Sequence, residues 1–184
     1  GSNSTGVENT VFGYNAGNAI TGNGNSAFGY VALLNTTGAN NSAFGDQAMR
    51  LNTSGANNVA IGSLALYSNT TASNITALGY QAGYSNTVGG YSTFLGLQAG
   101  YSVTGVGSGA ITAVGYQAGY GITSGTENLV VGLQAGYSIA TGSQNTYVGD
   151  YAGQFNTSNN NTALGFFALK GTSGSSTGSN NTAI

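Results

Sequence analysis

The stretch Thr76-Ala77-Leu78-Gly79-Tyr80-Gln81-Ala82-Gly83-Tyr84-Ser85-Asn86-Thr87 is one copy of a unit that fills the chain. Its mark is a glycine preceded by a large apolar residue and followed three places later by alanine. The mark stands at Gly13, Gly29, Gly45, Gly62, Gly79, Gly96, Gly115, Gly132, Gly149 and Gly165, at intervals of 16 to 19 residues. The tail Asn180-Asn181-Thr182-Ala183-Ile184 opens an eleventh copy and stops before its glycine. Residues 1–184 therefore read as a single repeat array, expected to be a segment of a longer chain.

The anchors define columns. One place before the glycine stand Phe12, Phe28, Phe44, Ile61, Leu78, Leu95, Val114, Val131, Val148 and Leu164, all apolar. Four before it stands Asn in seven of the ten copies, with Ile75, Ser92 and Ile111 as the exceptions. Five after it stands Tyr in the five central copies: Tyr67, Tyr84, Tyr101, Tyr120 and Tyr137. Eight after it stands Thr in eight copies.

The apolar stretches are short and alternate. Thr76 and Leu78 face one way and Ala77 the other, which is the strand period. Tyr80 to Tyr84 alternates likewise, so each copy reads as two short strands joined by the anchor glycine and a turn rich in Ser, Asn, Thr and Gly. Glycine at every anchor suits a positive φ or a close approach of backbones. One such pair cannot bury an apolar side alone. Stacked copies can, with about 4.8 Å per turn. This predicts an all-β fold, a parallel β-roll or β-solenoid of about one turn per 16–17-residue repeat. The column before the glycine is the expected core ladder. Asn residues stacked turn on turn are expected to bond one another. A single thin coil looks marginal, so a second apolar face is expected to pack on sister chains in a homotrimer. The column two before the glycine (Ala27, Ala43, Ala60, Ala77, Phe94, Ala113, Val130, Ala163) is assigned to that contact. The residues alone do not set the number three.

Composition removes most other classes. Charged residues are 3% of the chain, against about a quarter in an average domain, and there is no Cys, His, Pro or Trp. No thiol, imidazole or Cys/His metal site exists, so no cofactor is expected. Arg50 and Lys170 cannot make a nucleic-acid footprint. No apolar run is long enough to span a membrane as a helix, and the start has no signal-peptide pattern. Apolar residues are 40% of the total, which speaks against disorder.

The core Asn25-Ser26-Ala27-Phe28-Gly29, repeated as Asn41-Ser42-Ala43-Phe44-Gly45 and Asn161-Thr162-Ala163-Leu164-Gly165, resembles the head repeat of YadA-like trimeric autotransporter adhesins. The fuller form over residues 76–87 is similar to repeats of phage tail-fibre-like and bacterial surface-fibre proteins. The resemblance implies a left-handed parallel β-roll, one turn per repeat, in an intertwined trimer. This chain departs from it in its longer repeat and in Ile75, Ser92 and Ile111.

The candidate ligand-contact residues are the five tyrosines, which either contact a glycan or protein or stack on one another to stiffen the rod. The Thr column could order ice or serve the turns. The sequons Asn35-Thr36-Thr37, Asn69-Thr70-Thr71 and Asn156-Thr157-Ser158 are expected by chance in such a composition. Asp46 and Asp150 lie six turns apart, too far for a carboxylate pair, and Asp46 is expected to pair locally with Arg50. Without an activated nucleophile the chain is not expected to be an enzyme. The expected role is structural and adhesive, in a head or shaft of an extracellular fibre on a cell surface or virion. Its partners would be sister chains and a host-surface protein or glycan, without nucleic acid and without membrane insertion by this segment. The alternative is a specific binding module for ice or glycan on a Thr or Tyr ladder.

Overall fold

The computed structural model of the protein describes residues 5–104, 109–173 and 178–184. Each turn places one strand just ahead of its glycine. These are β1 (Thr10–Phe12), β3 (Ser26–Phe28), β5 (Ser42–Phe44), β6 (Val59–Ile61), β7 (Thr76–Leu78), β8 (Thr93–Leu95), β9 (Ile111–Val114), β10 (Asn128–Val131), β11 (Thr146–Val148), β12 (Thr162–Leu164) and β13 (Thr182–Ala183). They form one parallel sheet of 11 strands in chain order, while β2 (Ala19–Ile20) and β4 (Asn35–Thr36) pair on another side. Register sets like on like: Ala60 opposite Ala77, Ile61 opposite Leu78. It holds even across the 19-residue interval, where Leu95 faces Val114. The expected long loop over residues 103–109 lies partly outside the described residues. The chain is an all-β parallel β-solenoid of about ten turns with about 17 residues per turn.

The corners follow from the backbone. The anchor glycines have φ between 126° and 143°. At Gly79 an added Cβ would lie 2.4 Å from the Gly96 carbonyl oxygen, so glycine backbones stack directly on one another. Left-handed residues recur five before the anchor (Asn40, Asn57, Asn74) and two after it (Gln47, Gln81, Gln98).

The expected second strand is replaced by something tighter. Gln81 and Gly83 are left-handed, at φ 56° and 61°, and Ala82 and Tyr84 donate to Gly79 and Gln81 in successive turns. The left-handed residues still reach neighbouring turns: Gln81 N–H donates to the Ser63 carbonyl at 3.0 Å and Gly83 N–H to Ala99 at 2.9 Å. Alternating backbone handedness also has period two, so the side-chain pattern could not separate it from an extended strand.

The interior also differs from expectation. The column two before the glycine points inward: Ala27, Ala43, Ala60, Ala77, Phe94, Ala113, Val130, Tyr147 and Ala163 are buried. It faces the invariant alanines, among them Ala65, Ala82 and Ala99. The assigned core ladder points outward. Phe12, Phe44, Ile61, Leu78, Leu95 and Leu164 are exposed, and Phe28, Val114, Val131 and Val148 only half-buried. The alternation was right and its inside was inverted. The lumen already holds about one large side chain per turn from other positions, among them Leu33, Met49, Leu66, Phe94, Ile122 and Tyr147, so a further ladder of ten large apolar side chains has no room inside. The Asn column shares parity with the inward one and is buried with it. Asn41 N–H and Nδ2 both donate to Asn25 Oδ1, at 2.9 and 3.1 Å, and Nδ2 also donates to the Gly55 carbonyl. The same pattern runs through Asn128, Asn145 and Asn161.

Candidate functional site

The outer surface is a set of straight columns, because register repeats every side chain directly above its equivalent. On the sheet face the column before the glycine forms an apolar stripe. Phe28 and Phe44 stack with ring centroids 4.9 Å apart, and Leu78 and Leu95 follow at 42% and 40% exposure. Tyr80, Leu97 and Tyr116, one place after the glycine, are exposed too. The expectation that sister chains pack on the alanine column is overturned, because that column lies inside.

The five tyrosines come together as a single ladder. Centroids are 5.0 to 5.2 Å apart and planes lie within 7° of parallel from Tyr67 to Tyr137. Such stacking covers the ring faces and leaves edges outward, so no sugar ring fits between neighbours. Arg50 closes one end, donating from Nη1 to the Tyr67 hydroxyl at 3.0 Å. Burial, then the phenols of Tyr120, Tyr84 and Tyr80, hold the Tyr101 hydroxyl above the ordinary phenol value. A second ladder, of glutamines, runs along the same coil. Gln98 donates to Gln81, Gln117 to Gln98, Gln134 to Gln117 and Gln154 to Gln134, at 2.8 to 2.9 Å. Its signal was present, as glutamine two after the anchor in Gly79, Gly96, Gly115 and Gly132.

Threonine hydroxyls serve the coil. Thr53 Oγ1 donates to the Thr70 carbonyl, Thr70 to Thr87 and Thr87 to Thr104, at 2.6 to 2.9 Å. Each spends its proton on the next turn. Of the three sequons, Asn69 and Asn156 are buried and Asn35 is exposed. Asp46 accepts from Gln47 Nε2, and Arg50 donates to Gln47 Oε1, so Gln47 stands between the two charges expected to pair. Asp150 accepts the Leu133 N–H at 2.8 Å. Among the described residues no group of three acidic, His or Cys side chains could hold a metal. No described helix is long and apolar enough to cross a membrane.

Fold and surface define a class: a β-solenoid repeat protein whose side chains form axial ladders. Comparison with protein-family models, curated proteins and solved structures finds no match to this chain.

Proposed function

We propose that this chain is a structural and adhesive segment of an extracellular fibre. The rod repeats similar side-chain columns over many turns, and many weak contacts to a host-surface protein or glycan sum to a useful affinity. In this reading the coil is left-handed and trimeric, as in the YadA-like heads that its repeat resembles. Sister chains pack on the outer apolar column. The observation that carries the reading is that column, continuous from Phe12 to Leu164 on one face of a parallel sheet. Soluble monomers rarely expose apolar patches beyond a few hundred Å², and ten rows at about 4.8 Å spacing make a stripe roughly 43 Å long.

Light scattering on the purified chain tests it. The expected mass is three times the 18.2 kDa of one chain. The double variant Leu78→Gln, Leu95→Gln should shift that mass toward the monomer while circular dichroism stays β. A wild-type chain that is monomeric at high concentration would remove the oligomeric rod from consideration.

A further inference from the structure

One corner breaks the polar rule of its neighbours. Eight places before the anchor stand Thr37, Ser54, Thr71, Ser124 and Thr141, but Val88 in the turn that ends at Gly96. Five before it stand polar residues in most turns (Asn40, Asn57, Asn74, Glu127, Gln144 and Asn160), a small residue at Gly24 and Ala110, and the one large ring, Tyr91, in that same turn. Tyr91 keeps the left-handed backbone of its column, at φ 57°. Aromatic rings hold such a φ elsewhere in the coil, at Tyr151 (60°) and Phe167 (61°), so Tyr91 departs from its column by its side chain and not by its backbone. Local rules fail where a chain does something besides fold.

Val88 and Tyr91 are 51% and 66% exposed. With Thr71, Ser73 and Asn74 of the preceding turn they line an open hollow of about 400 Å³, within the size range of small-molecule sites. One wall is apolar. The Tyr91 ring has no aromatic partner among the described residues, so its faces are not consumed as those of the ladder are. The other wall offers unspent hydrogen-bonding groups. The Asn74 amide and Thr71 hydroxyl make no hydrogen bond among the described residues. The Ser73 N–H also has no acceptor among the described residues. Equivalent N–H groups of Ala56 and Thr126 donate to a serine Oγ of the next turn, at 2.9 and 3.0 Å, but Ser73 meets Gly90, which has no side chain. A second buried asparagine ladder, seven places after the anchor, in which Asn69 Nδ2 donates to Asn52 Oδ1 at 2.9 Å, breaks at the same place. Asn86 closes its own loop with Gly89 (2.9 and 3.2 Å) and leaves buried Asn69 Oδ1 without a donor. No charged side chain lines the hollow.

An apolar ring face opposite neutral donors and acceptors matches a molecule with one C–H face and several hydroxyls. We propose that Tyr91, Val88 and Asn74 form a binding site for a neutral pyranoside, with its C–H face on the Tyr91 ring and its hydroxyls on Asn74, Thr71 and the Ser73 N–H. One such contact is weak, with Kd of about a millimolar. It does not depend on the fibre reading: it survives if the chain proves monomeric, and its own failure leaves the oligomer untouched.

The test is saturation-transfer NMR and titration of the full chain with methyl β-D-galactopyranoside, methyl α-D-glucopyranoside and methyl N-acetyl-β-D-glucosaminide, with acyclic sorbitol as control. Binding of at least one methyl glycoside, without sorbitol, is expected. Tyr91→Asn restores the residue common at this corner, so it should fold at least as well, and it should weaken binding about tenfold or more. Asn74→Ala should weaken it severalfold, and Tyr116→Ser, at an exposed tyrosine outside the hollow, should leave it unchanged. No binding by any of the three glycosides overturns the proposal. So does equal binding of sorbitol, or binding that Tyr91→Asn leaves intact.

Discussion

Four places after the anchor, the chain carries either glycine or a large apolar residue, and the choice answers what fills the lumen in that turn and the adjacent ones. Gly83 and Gly119 share turns with Ala77 and Ala113, but a Cβ on them would lie 2.7 Å from the Phe94 ring and 2.8 Å from Ile122. Where Leu33, Met49 and Leu66 stand, the inward strand residues are Ala27, Ala43 and Ala60. Where Phe94 or Tyr147 fills the lumen, the position is Gly100 or Gly153. A Cβ on Gly100 would lie 2.3 Å from the Phe94 ring, and one on Gly153 2.3 Å from the Tyr147 ring. Backbone conformation is not the obstacle, since Leu33, Met49 and Leu66 hold φ 44° to 49° in the same column. Gly100→Leu should therefore destabilise by overpacking, by about 1–3 kcal/mol or more. Adding Phe94→Ala should recover much of the loss. Urea unfolding of the two singles and the double measures the coupling, and additive losses would show that the lumen is not shared.

At the scale of the element, a strand of three residues is held by what its side chains do between turns. Asn145 is the clearest case. It donates to Asn128 Oδ1 from both N–H and Nδ2, and from Nδ2 to the Ser158 carbonyl. Its own Oδ1 accepts from Asn161 N–H, Asn161 Nδ2 and the Tyr147 hydroxyl. Asn145→Ala strands several buried groups at once. Each unsatisfied group costs about 1–3 kcal/mol, so a loss of about 3 kcal/mol or more is expected in chemical denaturation. The isosteric Asn145→Asp carries no amide donor and should not rescue it. Stacking of asparagines was legible in the repeat, because identical residues at a fixed interval must meet when copies stack. Their placement inside was not, since an amide at period two reads as the solvent face of a strand. Only the inward alanines on the same parity, and the turn carbonyls within reach, make burial favourable.

For the whole molecule, contacts run only between neighbouring turns, so stability is a sum of turn and interface terms, and charge contributes little. The chain has no His or Cys, so no side chain with an ordinary pKa titrates between about pH 5 and 9. The denaturation midpoint should be flat there. Above that range it should fall. Burial holds the Tyr147 hydroxyl above the usual phenol range, opposed by a hydrogen bond from the Asn161 side chain, and Tyr101 is raised too. The unfolded chain's phenols ionise near pH 10, so above that pH the unfolded state releases protons that the folded state keeps. The stabilisation is complete below pH 10 and is lost as pH rises beyond it. Tyr147→Phe should shift this alkaline decline upward in urea melts taken across pH. A decline with the wild-type position and slope would remove Tyr147 as a cause.

By itself the amino-acid order determined the unit, its length, the parallel stacking and the meeting of like residues, because regular recurrence leaves a short apolar strand no other way to cover its backbone edges. It also marked Tyr67 to Tyr137 as one ladder. Which side of that strand became the interior was decided only by tertiary structure. Hydrophobicity favours the larger side chains, but the lumen holds about one large side chain per turn and the inward strand column is alanine in six of its ten rows, and that width exists only once the coil has closed. The hollow beside Tyr91 is likewise a property of two adjacent turns, formed where Gly90 lies against the Ser73 backbone of the turn before and brings no side chain to it.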